Sequence, residues 1–242
     1  MREIEIVEDE IYHVFNRGTE KRKIFLTHKD YERFLINLVL FNTVGEVAGN
    51  TSRYDLSKAF TNIPNNPLVK IHAFVLLPNH FHFILESLVE GGMARFMHRL
   101  EMGYSQYFNR FYGRSGNLFQ GTYKAVLIDD DAYFNYLPIY IHLNPLDLLP
   151  TEANWKEKGV KNKKEALKFL ARYQWSSLST YLDIHDYPFV VRDFFGLVYK
   201  KPDDWEKEII DWLPEEEIVV EAVVSKCASL SGAHLEDGFF GF

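Results

Sequence analysis

The chain of 242 residues has almost no cysteine, no long apolar run and no excess of positive charge. Its single cysteine, Cys227, excludes an internal disulfide framework and fits a reducing compartment, so we expect a cytoplasmic protein. An uninterrupted apolar stretch of about eighteen residues, which a membrane-spanning helix needs, is missing. The acidic start MREIEIVEDE also lacks the basic and apolar regions of a secretory signal.

Positive charge is scarce but unevenly distributed. The formal net charge of −7 argues against a protein that coats nucleic acid through bulk electrostatics. Between Ile11 and Pro150, however, the chain has 14 basic and 12 acidic side chains, so a local DNA-binding surface is compatible with the composition. The 20 phenylalanines and 14 tyrosines predict an aromatic core, and exposed tyrosines offer surfaces on which bases can stack.

The hydrophobic pattern predicts the order strand, helix, hairpin, helix, strand, helix. Antiparallel strands with helices on one face make an α+β fold with a ferredoxin-like sheet. Residues 45–67, rich in Asn, Thr, Ser and Pro, are predicted to be a long loop. We therefore expect one domain over residues 1–150 and a mainly helical C-terminal extension over 151–242. The predicted strands are 12–17, 69–77, 80–85 and 118–128, and the predicted helices are 30–41, 93–112 and 132–143.

Two histidines are separated by one residue in the second strand of the hairpin. Side chains alternate along a strand, so His80 and His82 project from one face while Phe81 and Phe83 project from the other. Two imidazoles at this separation can share one divalent metal. A pair of hydrogen-bonded structural histidines is the alternative interpretation. We expect a central strand here, with the helices 30–42 and 93–112 packed on its apolar face.

A tyrosine and an asparagine lie one turn apart at the end of the last predicted helix. Tyr136, Tyr140 and Asn144 are spaced by four residues and share a helical face. A tyrosine hydroxyl can attack a phosphodiester and form a covalent phosphotyrosine, while an asparagine amide oxygen can complete a metal shell. The alternative is that the tyrosine is structural and that Asn144 before Pro145 merely ends the helix.

Basic side chains recur on one stripe of the 93–112 helix and continue into the following turn and strand. Arginine donors are arranged as a fork that suits phosphate oxygens, so this stripe is a candidate DNA-binding face. A solvated helix surface is the alternative. The candidate residues are Arg95, Arg99, Arg110, Arg114 and Lys124.

These segments together resemble a known family. The segment LLPNHFHFIL (76–85) resembles the His-hydrophobic-His (HUH) signature of single-tyrosine transposases, especially the REP-associated tyrosine transposases. Further blocks of similar sequence occur in the same order along about residues 12–180: FNRG (15–18), FNRFYGRSGNLFQG (108–121), YIHLNP (140–145) and WSS (175–177). Two positions depart from the family: Thr122 follows Gln-Gly where arginine is frequent, and Asn144 stands where insertion-sequence members often carry glutamine.

The resemblance implies that residues 1–150 form a catalytic domain that cuts single-stranded or hairpin DNA with Mg²⁺ or Mn²⁺. In that chemistry Tyr140 is the nucleophile and leaves a 5′-phosphotyrosine and a free 3′-hydroxyl. His80 and His82 are metal ligands, and Asn144 is a candidate third ligand. The partner is DNA rather than a membrane, and a homodimer is one assembly left open.

Two other functions remain open at the level of sequence. A metal-dependent phosphoesterase would use His80 and His82 to position water, with Tyr140 as a packing residue, and would form no covalent protein–DNA adduct. A hairpin-DNA-binding protein with a decayed site would not cut DNA at all. The presence of His80, His82 and Tyr140 argues against a decayed site.

Overall fold

The computed structural model describes residues 5–47, 51–152, 155–196 and 198–213, so Cys227 and the acidic tail lie outside the described residues. Four strands form one sheet in the order β2-β3-β1-β4, and each neighbouring pair is antiparallel. This is the ferredoxin-like order, which confirms the predicted α+β class. The strands are β1 (Ile11–Arg17), β2 (Val69–Leu77), β3 (His80–Ser87) and β4 (Lys124–Leu127).

Helices connect the strands and make up most of the described C-terminal extension. A 3₁₀ turn, Asn144–Leu148, continues directly from the helix that carries Tyr140. The α-helices are α1 (His28–Leu40), α2 (Leu56–Phe60), α3 (Gly92–Phe111), α4 (Asp131–Leu143), α5 (Trp155–Lys158), α6 (Lys163–Arg172), α7 (Leu178–Tyr181), α8 (Asp193–Gly196) and α9 (Pro202–Trp212).

Two helices pack on the apolar face of the sheet, as predicted. Phe34 of α1 lies 5.4 Å from Phe81 and 6.3 Å from Phe83 between ring centroids. Tyr104 of α3 meets the same Phe34 ring edge-on at 4.9 Å. The opposite face, to which the side chains of His80 and His82 belong, is covered by α4 and by parts of the extension.

Local sequence explains where α1 and α4 begin. Thr27 and Asp30 form a capping box at the start of α1, which satisfies backbone donors that have no partner inside the helix. Asp130 caps α4 by accepting a hydrogen bond from the Tyr133 amide at 2.9 Å. Pro138 lies inside α4 but does not divide it in two.

Two sequence predictions about local structure were wrong. The strand predicted over residues 118–128 is reduced to β4, because Gly121 adopts a positive φ of 73° that an extended strand does not tolerate. Leu118 and Phe119 are buried in a loop instead. The predicted long loop contains α2, which Asp55 caps by accepting from the Lys58 amide.

The C-terminal extension is tied to the outer edge of the sheet. The Leu76 amide donates to the Trp175 carbonyl at 2.9 Å, and the Ser177 amide donates to the Phe74 carbonyl at 3.0 Å. The extension thus covers part of the exposed edge of β2. One buried apolar cluster contains residues from both sides of position 150, and the domain boundary there stays a prediction. None of the described helices is long and apolar enough to cross a membrane.

Candidate active site

The two histidines of the HUH segment lie together on the central strand β3. Across the β1–β3 ladder, His82 pairs with Phe15 and His80 pairs with Arg17. The imidazole rings of His80 and His82 have centroids 5.1 Å apart and meet nearly at right angles. Only 8% of His80 and 3% of His82 is exposed. The strand geometry therefore brings both rings to one shielded place.

Burial keeps these imidazoles neutral. Desolvation, together with the positive charges of nearby Lys156 and Arg17, lowers the pKa of His80 to about 3. Desolvation also holds the pKa of His82 well below its ordinary value, with further lowering by His80 and His13. A neutral imidazole keeps the lone pair that a metal ligand needs. Both side chains are therefore in the protonation state that metal binding requires.

Asn79 fixes the proton of His80. The Asn79 Oδ1 atom lies 2.7 Å from His80 Nδ1 and can only accept, so the imidazole proton resides on Nδ1. The lone pair of the neutral ring is then on Nε2. The Pro78-Asn79 turn thus both starts β3 and sets the tautomer of the first histidine.

A third buried histidine reaches His82 from the neighbouring strand. His13 of β1 lies with its Nε2 atom 2.9 Å from His82 Nδ1. Its other ring nitrogen, Nδ1, lies 3.0 Å from the Tyr133 hydroxyl on α4. His13 is 1% exposed, and desolvation lowers its pKa to about 3. The three side chains form a buried hydrogen-bonded chain that ends at the candidate metal ligand.

The hydrogen bonds that link Tyr133, His13 and His82 can run in two directions, which differ in the ring nitrogen that carries each proton. In the first, His82 Nδ1–H donates to His13 and His13 Nδ1–H donates to the Tyr133 oxygen, which leaves the His82 lone pair on Nε2. In the second, the Tyr133 hydroxyl donates to His13 and His13 donates to His82, which places the His82 proton on Nε2. Only the first direction leaves Nε2 of His82 able to bind a metal.

Tyr140 of α4 lies against His82, the second histidine of the pair. Its ring meets that of His82 edge-on, with centroids 6.3 Å apart, and Tyr136 packs beside it at 5.4 Å. Tyr140 is 8% exposed. Tyr133, a rival nucleophile by spacing, is engaged by His13 instead, and burial raises the pKa of its hydroxyl. The structure therefore brings Tyr140 together with His80 and His82.

Asn144 is fully buried one turn beyond the tyrosine. Its Nδ2 atom donates to the Tyr140 carbonyl at 2.7 Å, while its Oδ1 atom has no hydrogen-bond partner among the described residues. An unpartnered buried amide oxygen is the kind of atom that Mg²⁺ or Mn²⁺ accepts as a ligand. Two neutral imidazoles and an amide oxygen have the donor chemistry of a weak divalent site. The described residues contain no cluster of three or more His, Cys, Asp or Glu side chains that could hold an ion.

Two cations flank the histidines. Lys156 of α5 lies with its Nζ atom 5.8 Å from the centre of the Tyr140 ring, and it also pairs with Asp147 at 3.1 Å. Arg17, the cross-strand neighbour of His80, donates from Nε to Gln120 Oε1 at 2.6 Å. Positive charge on both sides suits a site that receives the phosphate of a DNA strand.

The predicted DNA-binding residues divide between the two faces of the sheet. Lys124 pairs with Phe15, which in turn pairs with His82, so Lys124 belongs to the histidine face. The arginines of α3 lie across the sheet from the histidines. Arg99 donates to the Thr43 and Gly45 carbonyls at 2.6 and 3.4 Å, which fixes the loop after α1.

The remaining predicted cations differ in exposure. Arg95 and Arg110 are exposed on α3. Arg114 is half-buried and donates to Asn109 Oδ1 at 3.0 Å. None of these three is brought to the histidine pair, so any DNA contact they make involves a part of the DNA away from it.

Sequence reasoning missed His13 and Lys156. His13 falls in the predicted first strand with the alternation of Phe15 and Arg17, but only the register of β1 against β3 reveals its partner. Lys156 lies in a lysine-rich segment that carried no functional signal. Both residues reach the site through contacts between distant parts of the chain.

The chain is similar to known proteins in two of three comparisons. One solved structure, described as "Structure of the REP associates tyrosine transposase bound to a REP hairpin", is similar with 14% identity and a TM-score of 0.46, and the match covers 79% of this chain and 97% of that one. The comparison with curated proteins found no match. The family model described as "Transposase IS200 like" matches residues 7–144, which is more than half of the chain. The chain therefore belongs to the IS200-like family of DNA transposases.

Proposed function

We propose that the protein is a metal-dependent DNA endonuclease and strand transferase that uses Tyr140 to cut single-stranded or hairpin DNA. The observation that carries the proposal is the placement of Tyr140 edge-on to His82, which adjoins His80, and beside Lys156. Membership in a transposase family supports DNA as the substrate. We infer that the enzyme works as the sequence resemblance implies.

The tyrosine forms a covalent intermediate with the DNA. The Tyr140 oxygen attacks the phosphorus, a new oxygen–phosphorus bond forms, and the bond from phosphorus to the 3′ oxygen breaks. The phenol loses its proton, and the 3′ oxygen leaves as a hydroxyl after taking up a proton. The products are a 5′-phosphotyrosine and a free 3′-hydroxyl. Attack by a different 3′-hydroxyl on this linkage joins the strands and restores the tyrosine.

His80 and His82 would hold Mg²⁺ or Mn²⁺ through their neutral rings, with Asn144 Oδ1 as the candidate third ligand. The metal, when bound, stabilises negative charge on the phosphate oxygens. Lys156 and Arg17 add fixed positive charge around the same phosphate. With so few protein ligands, we expect weak metal binding.

The DNA extends beyond this site over positive side chains. Lys124 shares the histidine face and is suited to the phosphate next to the cleaved one. Arg95, Arg110 and Arg114 would contact other parts of the same DNA, and Arg99 combines a predicted phosphate contact with its bonds to the loop carbonyls. A cytoplasmic location and a homodimer remain predictions.

The test is the substitution Tyr140→Phe, which removes one oxygen and keeps most of the packing. We expect loss of both DNA cleavage and the covalent adduct, with DNA binding and metal binding close to wild type. Tyr136→Phe is the matched control, because its ring packs beside Tyr140, and it should still form the adduct. Mass spectrometry of trapped adduct should assign the nucleotide to the peptide with Tyr140. Cleavage without any adduct would instead indicate a phosphoesterase that uses water.

A further inference from the structure

The helix that carries Tyr140 lacks a backbone hydrogen bond close to that residue. Pro138 lies inside α4, two positions before Tyr140. Proline has no backbone N–H, so the helix lacks the bond that residue 138 would otherwise donate to the carbonyl four residues earlier. The hydrogen bonds within α4 therefore constrain its second half less than in an uninterrupted helix, and contacts with other elements have a larger part in placing Tyr140.

The C-terminal extension contacts α4 on both sides of Pro138. Before the proline, the Tyr199 hydroxyl donates to the Asn135 carbonyl at 3.4 Å. After the proline, His142 Nε2 lies 2.8 Å from Ser177 Oγ. The second contact is only two residues along the chain from the candidate nucleophile.

His142 donates the hydrogen bond to Ser177. The His142 side chain is completely buried, and its ring centroid lies 5.4 Å from that of Trp205 and 5.9 Å from that of Tyr181. Burial lowers the pKa of His142 to about 3, so the ring is neutral and has one N–H. Nδ1 has no hydrogen-bond partner among the described residues. The proton is therefore on Nε2, because a buried N–H without an acceptor is costly.

Ser177 is fixed to the sheet independently of His142. Its hydroxyl accepts from the Phe74 amide at 2.9 Å and donates to the Phe74 carbonyl at 3.2 Å. The next residue of β2, Val75, is the cross-strand partner of His82 on β3. A short series of contacts thus joins α4, through His142 and Ser177, to the strand beside the candidate metal ligands.

His142 and Tyr140 project from nearly opposite sides of α4, because two residues along an α-helix differ in direction by about 200°. Tyr140 meets His82 edge-on with ring centroids 6.3 Å apart, while His142 meets Ser177. This half of the helix is therefore held between His82 and the extension. A hydrogen bond is favourable only over a narrow range of distance and angle, so it restricts the rotation of the helix more closely than apolar packing does.

We propose that His142 is a positioning residue for Tyr140, and that its hydrogen bond to Ser177 holds the nucleophile in place beside His82. The inference rests on the proposed cleavage function. It gives the WSS block a role, because Ser177 is the fixed point to which the tyrosine helix is bound. His142 is completely buried, so its effect on the reaction passes through α4. Misplacement of a reacting group by about 1 Å can lower a rate about a hundredfold.

The variant His142→Leu removes the N–H and leaves both hydrogen bonds of Ser177 to Phe74 in place. The rate of adduct formation is measured in a single turnover at saturating DNA and Mn²⁺, and the dissociation constant for DNA is measured separately by anisotropy. We expect the rate to fall by about tenfold to a hundredfold, with a dissociation constant within about twofold of wild type. His142→Gln keeps a donor near the position of Nε2 and should restore most of the rate.

Tyr173→Phe is the matched control. It removes a hydrogen bond between the extension and β2, from the Tyr173 hydroxyl to the Leu76 carbonyl at 2.7 Å, and this bond does not involve α4. The control should melt at a lower temperature than wild type, as His142→Leu should, yet keep the wild-type rate. If both variants lost rate in proportion to their loss of stability, His142 would be an ordinary structural residue and the inference would be wrong.

Hydrogen exchange followed by mass spectrometry tests the same contact without cleavage. The amides of residues 139–143 should exchange faster in His142→Leu than in wild type or Tyr173→Phe. A wild-type rate in His142→Leu would overturn the inference and leave the cleavage function intact. A wild-type protein that forms no adduct would overturn the cleavage function, while faster exchange in His142→Leu would still support the role of His142 in holding α4.

A second variant covers the case in which His142→Leu does not fold, as a melting curve would reveal. Ser177→Ala removes the acceptor of the same hydrogen bond and should cause the same loss of rate at saturating DNA. A wild-type rate of adduct formation in Ser177→Ala would overturn the inference.

Discussion

At the scale of single residues, the hydrogen bonds from Tyr133 through His13 to His82 decide whether His82 can bind a metal. His82 Nε2 carries a lone pair only when the Tyr133 oxygen accepts from His13. His13 is thus a positioning residue, since it acts through His82 and not on DNA. Partners of this kind orient metal-binding imidazoles and raise their affinity for the ion.

We expect His13→Phe to weaken Mn²⁺ binding by about tenfold to a hundredfold, because His82 loses the partner that holds its proton on Nδ1. Tyr133→Phe should have a smaller effect in the same direction. Titration calorimetry of the DNA-free protein measures this without any cleavage assay. His98→Ala is the control, because His98 is exposed on α3. Wild-type Mn²⁺ affinity in His13→Phe would mean that His13 only fills space.

The sequence predicted part of this site and missed the rest for a physical reason. His80 and His82 were predictable because strand alternation places residues i and i+2 on one face, and Tyr140 and Asn144 because helical spacing does the same. His13 and His82 are 69 positions apart, and their contact depends on strand register. No local pattern encodes that register.

At the scale of elements, helix α3 shows why a stripe of arginines on a helix is an ambiguous signal. The spacing of Arg95, Arg99 and Arg110 correctly indicates a face that avoids the core, but it does not say what the face contacts. Arg99 satisfies the Thr43 and Gly45 carbonyls and so has a structural role. Arg110 is exposed.

The two arginines should therefore respond differently to substitution. Arg99→Ala should lower the free energy of unfolding by about 1.5 kcal/mol, since a charged donor to two carbonyls is lost. Arg110→Ala should change stability by less than about 0.5 kcal/mol. If α3 contacts DNA, Arg110→Ala should instead flatten the log–log salt dependence of binding by roughly 0.7–0.9. Thermal melts and anisotropy at several salt concentrations measure both, and an unchanged slope would make Arg110 ordinary solvated surface.

At the scale of the whole molecule, the extension completes the fold and supplies part of the candidate site. Ser177 accepts a hydrogen bond from the Phe74 amide at 2.9 Å and lies 2.8 Å from His142 Nε2, which links the WSS and YIHLNP blocks through the core. Lys156 reaches the Tyr140 ring from the same extension. The sequence indicated the block WSS by resemblance only, because its place on the edge of β2 depends on tertiary packing. An extension that was predicted without a role is thus bound into the structure around Tyr140.

The stability of the whole fold should also depend on the ionisation of one buried carboxyl group. Glu101 of α3 accepts a hydrogen bond from Asn16 Nδ2 at 2.8 Å on the apolar side of the sheet. Desolvation raises the pKa of Glu101 to about 7, although the Asn16 hydrogen bond partly opposes the rise. The folded protein therefore binds this proton more tightly than the unfolded chain does. The stability that Glu101 contributes is complete at low pH, falls as the pH rises from its ordinary pKa towards 7, and is lost above 7.

Glu101→Gln tests this dependence, because glutamine keeps an oxygen that accepts from Asn16 and never ionises. At pH 8 we expect the variant to be more stable than wild type by on the order of 2 kcal/mol, with little difference between the two proteins near pH 4. Denaturant unfolding at intervals across this range gives the difference directly. Glu206→Gln, a change at an exposed position of α9, should leave the pH profile as it is in wild type. A variant Glu101→Gln with the same pH profile as wild type would contradict the prediction. Any loss of stability with rising pH would then come from other groups, and ionisation of Glu101 would not lower the free energy of unfolding.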